Sequence, residues 1–412
     1  MGQMVRRGRL EITFADGRHL TLGQLEPGFP DVAVRFTDDK VPRDLMLDPR
    51  LGAGEAYMDG RIVLERGGVM ELVQLVQSNN PWEKRGKLVR PSLLRRIRGR
   101  IEFVARSFNK PGSARRNVAH HYDIGNDLYK LMLDPEHMQY SCAYWPEDGM
   151  TLEQAQEAKL AHIAAKLALK PGLTVLDIGC GWGGMAIYLA RKADVQVLGI
   201  TLSKEQLELA EKRAAAAGVS DRVKFELVDY RDLAQRGKTF DRIVSVGMFE
   251  HVGTPQYERF FRDCASLMKE DGVMLLHTIG RMGKPGSTDA FTDKYVFPGG
   301  YIPALSETVA ASEKSRLIAS DVETLRLHYA KTLREWYRRC MDHRDEITAI
   351  FDERFFRMWT FYLAGSTAAF ETGGMCNFQI QYIRNRHALP LSRDYIMEAE
   401  KAYDAAQSQA AE

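Results

Sequence analysis

Cysteine is scarce in this sequence: Cys142, Cys180, Cys264, Cys340 and Cys376 are odd in number, widely scattered and without a C-x-x-C pair. That distribution argues against a disulfide framework and offers no zinc-ligand spacing, so reduced thiols and no metal site are expected. Long apolar runs are missing as well, since none approaches the 18 residues that a membrane-spanning helix needs. The opening "MGQMVRRGRLEITFADG" carries charges where a secretory signal has its apolar centre. A cytosolic protein is the expectation. There is no internal repeat and no low-complexity tract.

What is present is an ordinary globular composition, 45% apolar and 27% charged over 412 residues, enough chain for two or three domains with large cores. The net charge of +2 hides an asymmetry: residues 1–120 hold 22 Lys and Arg against 14 Asp and Glu, and the remainder holds 35 against 41. Most of the excess lies between Lys84 and Arg116, where twelve basic residues meet only Glu102. Such a run reads as a site for an anionic partner. Within it, Leu94, Ile97, Ile101, Val104 or Ala105, and Phe108 recur at helical spacing, while Arg95, Arg96, Arg98 and Arg100 fall mostly off that stripe. A basic amphipathic helix of this kind can lie on an anionic membrane surface. Equally, it reads as a solvated linker helix packed on its own domain.

Residues 10–77 alternate short apolar runs with turn signals, and "ADG" predicts a hairpin between Ile12–Phe14 and His19–Leu22. "GGVMELVQLVQ" predicts a helix that Asn79, Asn80 and Pro81 end. From Thr151 onward helices alternate with five apolar strand candidates, "LTVLDIG", "VQVLGIT", "VKFELVD", "DRIVSVG" and "GVMLLHTIG". This predicts an α/β fold with a doubly wound parallel sheet, whose ligands collect outside the C-terminal strand ends. The tail after Tyr295 reads as mainly helical.

The loop "VLDIGCGWGG", Val175 to Gly184, follows the first of these strands. Gly179, Gly181 and Gly184 satisfy G-x-G-x-x-G, yet a dinucleotide site also needs an acid on the ribose some 20 residues on. "GITLSKEQ" offers none there before Glu205. The other common ligand of such a loop is S-adenosylmethionine, and Asp177 ends the first strand where its methyltransferases carry an acid. A tight turn with no ligand is the remaining reading. At the next strand ends, "SVGMFEHVG" sets Glu250 and His251 just past the fourth strand and "LLHTIG" sets His277 at the end of the fifth. A carboxylate and an imidazole there can do acid–base work or hold a small polar ligand. A structural pair is the competing reading, favoured for His251.

"MQYSCAYW", "VLDIGCGWGG", "GITLSKEQ", "DYRDL", "DRIVSVGMFEHVG", "LLHTIG" and "FPGGYIP" occur in that order between about Asn117 and Phe370. Together they resemble the cyclopropane-fatty-acyl-phospholipid synthases and the related mycolic acid cyclopropane synthases. The resemblance implies a class I methyltransferase-like Rossmann domain over residues 119–390, preceded by a smaller α+β lipid-engaging domain over residues 1–83. "GEAYMDG", Gly54 to Gly60, is that smaller domain's clearest fragment. Residues 84–118 form the basic amphipathic linker, and residues 391–412 are a C-terminal helical extension whose role the sequence does not reveal.

The reaction implied is transfer of the methyl of S-adenosylmethionine to a cis double bond of a phospholipid acyl chain, with a bound bicarbonate taking the proton that ring closure releases. A C-methyltransferase making methyl- or methylene-branched chains is the alternative. By motif, the resemblance assigns the methyl donor to Tyr140, Ser141, Asp177, Gly179, Gly181, Thr201, Leu202, Gln206, Tyr230 and Arg231. It assigns bicarbonate to Cys142, Glu250, His277, the backbone at Ile279, and Tyr329. Partners implied are unsaturated phospholipid, an anionic membrane surface met from the cytoplasmic side, and a second copy in a homodimer; no nucleic acid is expected. Neutralising Arg95, Arg96, Arg98 and Arg100 together should weaken co-sedimentation with anionic vesicles and flatten its salt dependence. Unaltered vesicle binding would leave only the linker reading.

Overall fold

The computed structural model describes residues 5–84 and 125–410, with side chains described to residue 403. The basic segment from residue 85 to 118 lies outside the described residues. No described helix is long and apolar enough to cross a membrane. The described residues form two compact units.

The first unit holds the N-terminal residues to 84 together with residues 287–298 and 329–375. Its sheet has the order β2-β1-β3-β4, from β1 (Gly8–Thr13), β2 (His19–Gln24), β3 (Asp31–Phe36) and β4 (Ile62–Arg66). The hairpin expected at "ADG" forms: β1 and β2 run antiparallel with Thr13 opposite His19, and Gly17 takes the positive φ of +84° that closes the turn. Leu10 and Ile12 on β1, with Val32, Val34 and Phe36 on β3, point to one face and bury against Leu75 of the helix Val69–Ser78. That helix has a second apolar edge, and Val69 and Met70 there pack on Ala364 of the helix Glu353–Glu371. Gly54 of the helix Pro49–Met58 leaves room for the rings of Phe291 and Phe361, which a Cβ would meet at 2.3 and 3.0 Å. The N-terminal strands are therefore completed by segments far along the chain, and the compact unit extends beyond the 1–83 boundary drawn from the sequence.

The second unit holds residues 125–286, 299–328 and 376–410 and is built on a seven-stranded sheet of order β10-β11-β9-β8-β5-β6-β7. The strands are β5 (Thr174–Ile178), β6 (Gln196–Thr201), β7 (Val223–Leu227), β8 (Phe240–Val246), β9 (Met268–Arg281), β10 (Ile318–Leu325) and β11 (Met375–Ile383). All five expected strands are present, and β5 to β9 pair in parallel. Alternate residues feed two cores. Leu176, Ile178, Ile243, Met274 and Leu276 join one cluster, and Val175, Val197, Val244 and Leu275 join the other. Burial on both faces is what a doubly wound sheet requires. β5 pairs with β6 on one side and β8 on the other, so the chain reverses its direction of winding there, and a ligand site is expected outside the β5 and β8 ends.

The tail after Tyr295 holds five further helices but also β10 and β11, an antiparallel pair that the helical reading missed. β11 carries a period of two, with Phe378, Ile380 and Tyr382 in one core while Asn377, Gln379 and Gln381 are buried on the other face. Its polar alternation hides it from an apolar search. β10 is a largely exposed, polar edge.

Phe260 is fully buried in the second unit, with ring centroids of Phe249, Phe261 and Tyr230 at 5.1, 5.2 and 5.4 Å. Phe260→Ala should lower stability by about 3–5 kcal/mol in chemical denaturation. A loss below about 1 kcal/mol would mean that this aromatic cluster does not anchor the sheet.

Candidate active site

Asp177 is the penultimate residue of β5, and after Ile178 the chain turns through the glycine loop into the helix Gly184–Ala193. Gly179 adopts φ +84°, and a Cβ there would stand 2.9 Å from Cβ of Met248. Gly184 is closer still to its neighbour: a Cβ would meet the carbonyl oxygen of His137 at 2.0 Å. The glycines thus let the loop press against two other segments while leaving a cleft in front of it.

Ten residues assigned to the methyl donor line this one cleft. Tyr140 and Ser141 come from the segment before the helix Leu152–Lys166, and Asp177, Gly179 and Gly181 from the loop. Thr201, Leu202 and Gln206 follow β6, where the Thr201 hydroxyl donates to Gln206 Oε1 at 2.8 Å and Ser203 caps the next helix. Tyr230 and Arg231 follow β7, where the Asp229 carboxylate accepts from the Arg231 backbone N–H at 3.0 Å and from its Nε at 2.8 Å. His251, which reads from sequence as structural, also lines the cleft, and burial pushes its pKa down to about 4.

Asp177 is 2% exposed, its Oδ2 has no hydrogen-bond partner, and burial pushes its pKa up to about 7 against the opposing charge of Lys159. Lys159 escapes a motif search. It is fully buried, donates to Ser141 Oγ at 3.0 Å and to Gln139 Oε1, and burial lowers its pKa to about 7. One turn earlier, Gln156 Nε2 donates to the carbonyls of Ser141 and Gln139 at 3.1 and 3.3 Å. Asp134 fixes the same segment, its two oxygens accepting from the backbone N–H groups of His137 and Gln139 at 2.7 and 2.9 Å. The signal that could have found these residues is a polar stripe at steps of three and four, Gln156, Lys159, His162 and Lys166, on a helix that packs inward.

Beyond the cleft, the turn Phe249–His251 follows β8 and presents Glu250 toward β9. Glu250 Oε1 accepts from the Ile279 N–H at 2.6 Å, while Oε2 is buried without a partner. Burial pushes this carboxyl up to about 7. The ends of β8 and β9 are tied by Gly247 N donating to His277 O at 2.9 Å, and Tyr301 N donates to Glu250 O at 2.9 Å. His277 is 1% exposed, its ring faces Asn377 and Gln379 of β11, and burial holds its pKa well below the usual histidine range, so the ring is neutral. Cys142 follows Ser141, is fully buried, and is kept as a thiol because burial drives its pKa up.

Of the residues assigned to bicarbonate, the structure links Glu250 and Ile279 directly and sets His277 on the same strand as Ile279. The Ile279 N–H expected to hold the anion is given to Glu250. Tyr329 belongs to the first unit, where its ring packs on Trp336 and Phe370 at 5.8 and 4.8 Å. A separate group of Glu136, His137 and Glu157 brings three possible metal-ligand atoms within 4.8 Å of one another. His137 Nε2 already meets Glu157 at 2.5 Å, and Lys192 and Arg191 flank the group at 3.7 and 3.9 Å. The cations make it a salt-bridge cluster.

The sequence matches the family described as mycolic acid cyclopropane synthetase over residues 109–380. It is 43% identical over 394 residues, 93% of this chain and 95% of the relative, to a probable fatty acid methyltransferase of Pseudomonas putida. It is 41% identical over 356 residues, 85% of this chain and 87% of the relative, to the cyclopropane-fatty-acyl-phospholipid synthase of Escherichia coli. Among solved structures, the mycolic acid cyclopropane synthase CmaA1 in complex with SAH and CTAB superposes with a TM-score of 0.61 at 35% identity, covering 65% of this chain and 97% of that one.

The raised pKa of Glu250 has a thermodynamic consequence. A carboxyl at about 7 when folded, against an ordinary 4.5, favours folding fully below pH 4.5, and that contribution is lost as pH rises through 7. Glu250→Gln should therefore be more stable than the parent at pH 8 by about 3 kcal/mol, the gap closing near pH 4. Parallel stability curves for the two proteins would show that Glu250 is not desolvated as described.

Proposed function

The chain belongs to the mycolic acid cyclopropane synthetase family of S-adenosylmethionine-dependent methyltransferases, and we propose that it acts on phospholipid, converting a cis double bond of an acyl chain into a cyclopropane ring with bicarbonate as the base. The observation that carries this reading is Glu250. A buried carboxylate oxygen without a partner, flanked by the cleft-lining residues Gly247, Met248, His251 and Val252, fits a small ligand that brings its own O–H.

S-adenosylmethionine, when bound, supplies an electrophilic methyl group. In the proposal Asp177 meets a hydrogen-bond donor of that ligand, because its Oδ2 has no protein donor. Tyr140, Ser141, Thr201, Leu202, Gln206, Tyr230 and Arg231, which line the cleft, would hold the rest of that ligand. No acid is needed near Thr201, since Thr201 and Gln206 offer polar atoms in its place. Lys159, held among Asp134, Asp177 and Cys142, balances the charge of Asp177 and fixes Ser141.

The alkene is a weak nucleophile, and its methylated form is a cation that water would trap, so the reacting region must be dry and must contain a single base. Bicarbonate would supply that base. Glu250 would accept the hydrogen bond of its OH, which requires the ionised form and explains a carboxylate kept without a protein donor at Oε2. His277 would donate from its neutral ring, and Cys142 from its thiol. The Ile279 N–H orients Glu250, so its hold on the anion would be shared. Tyr329 enters on the resemblance alone.

The basic segment in the sequence supports contact with anionic phospholipid at the cytoplasmic membrane surface, and the homodimer likewise rests on the resemblance. A second reading is favoured by the name of the Pseudomonas relative: methyl transfer ending in a methylene or, with a reductant, a saturated methyl branch.

Vesicles containing cis-monounsaturated phospholipid, incubated with the protein, bicarbonate and S-adenosylmethionine bearing a trideuterated methyl, test both readings. The expected fatty acid retains two deuterons in a ring located by fragmentation, and its yield falls when bicarbonate is stripped from the buffer. A methylene chain of equal mass, or a branch two hydrogens heavier that needs added reductant, would favour the second reading. Unlabelled lipid despite demonstrable cofactor binding would remove phospholipid as substrate.

A further inference from the structure

The C-terminal helix Asp394–Ala410 has no role in the cleft, yet a chain of polar side chains, half-buried at its outer carboxylates and buried further in, leads from it to the ring of His277. Glu400 Oε1 meets His162 Nδ1, and His162 Nε2 lies 2.7 Å from Glu323 Oε2 on β10. The same Glu323 oxygen accepts from Lys166 Nζ, which also donates to Gln379 Oε1 at 2.9 Å. Gln379 Nε2 then lies 3.2 Å from His277 Nδ1. His162 is 5% exposed, and Lys166 and Gln379 are fully buried, so none of these groups can turn to water for a substitute.

Donor chemistry gives the chain a direction. A lysine ammonium has no lone pair, so Gln379 must face it with its oxygen and offer its amide N–H to the histidine. An amide N–H only donates, so His277 Nδ1 must be the acceptor. A neutral imidazole carries one proton, which then sits on Nε2. The Asn377 amide, 3.0 Å from Nε2, accepts that N–H after a half-turn that brings its oxygen to the ring, and a bound base would share this proton with Asn377 or take it over.

This direction requires Lys166 to remain charged. Burial lowers its pKa, and the Glu323 carboxylate opposes the loss. Burial also works against a charged His162, but Glu323 and Glu400 outweigh it and raise its pKa, while Glu323 itself, although partly desolvated, is held down to about 2 by His162 and Lys166. Asp321 stands 3.9 Å from Lys166 Nζ and is paired with Arg393 at 2.5 Å. The group is thus an alternating set of cations and anions in which Glu400 is the member supplied by the C-terminal helix.

We propose that Lys166 and Gln379 are positioning residues that fix the Nε2–H tautomer of His277, and that Glu323, His162 and Glu400 hold Lys166 in its donating state, making the C-terminal helix part of the support of the active site. The proposal rests on the reading that His277 donates a hydrogen bond to the base of ring closure; it assigns the proton that does so.

The test reads the tautomer directly, by long-range proton–nitrogen correlation on full-length protein carrying 15N-labelled histidine, with His277 assigned by loss of its signals in His277→Gln. The parent should show the Nε2–H form without lipid, bicarbonate or cofactor. Gln379→Glu, which keeps an acceptor for Lys166 but presents one to Nδ1 as well, should move the proton to Nδ1. Its kcat should fall by roughly 10–100-fold while the KM for S-adenosylmethionine stays within about twofold. Glu400→Gln should mix the two forms and lower kcat less. An Nδ1–H signal in the parent would overturn the proposal even if no variant folds, as would an unmoved proton in folded Gln379→Glu. If vesicles yielded no ring while the parent showed the expected signal, the functional reading would fail and the tautomer assignment would stand.

Discussion

Four polar side chains on the buried face of one helix constrain the catalytic unit more than any single contact. Gln156, Lys159, His162 and Lys166 of Leu152–Lys166 are all at most 5% exposed. An amide, two amines and an imidazole taken out of water each cost several kcal/mol unless every donor finds an acceptor. The surrounding chain is arranged to meet that demand. The upper pair is met by the segment from Gln139 to Ser141, which is thereby held in the lining of the cleft. The lower pair is met by Glu323 and Gln379 from β10 and β11, which are thereby held beside the helix. One helix therefore positions the Gln139–Ser141 part of the cleft lining and, through Gln379, the imidazole of His277 within β9.

Beside this network, whose donors named above all find acceptors, two carboxylates near strand ends each lack a donor, Asp177 and Glu250. Each is buried, each has one oxygen without a partner, and each is pushed toward neutral pH by the same cause, loss of solvation. They sit at the ends of neighbouring strands, β5 and β8, where the sheet changes its direction of winding. A fold that pairs both ends of the buried Gln379 amide could have satisfied these carboxylates. That they are left short of donors is what a site looks like when its ligands complete the hydrogen bonding, and stability is given up to keep them so.

Much of this was legible in the sequence because the relevant signals are local. A strand, an acid and a glycine turn are contiguous from Val175 to Gly184, and the ends of "SVGMFEHVG" and "LLHTIG" announce Glu250 and His277 by position alone. The residues that stayed hidden are those whose meaning depends on which way a helix faces. A stripe of Gln, Lys, His and Lys looks solvated until the helix is known to bury it. β11 was concealed by the same inversion, because Asn377, Gln379 and Gln381 are polar residues serving a buried face. Glu400 could not have been found at all, since its only cue is a partner 238 positions earlier. The extent of the first unit was hidden for the same reason of distance, with Gln74 bonded to Glu371 across 297 residues.

That last separation bears on how the chain comes to be folded as it is made. The helix Val69–Ser78 leaves the ribosome with its inner edge already served by the N-terminal strands, but the partner of its outer edge, Glu353–Glu371, follows some 275 residues later. At typical synthesis speeds of 5–20 residues per second, the interval is on the order of 15–60 s. Throughout it, Val69, Met70 and Val73 lack the partner that covers them in the folded chain, and residues 287–298 of the same unit are also still to come. The larger unit can collect its parallel strands from β5 to β9 within that interval, while its β11 and C-terminal helix follow only after Glu353–Glu371, so both units wait for the end of the chain.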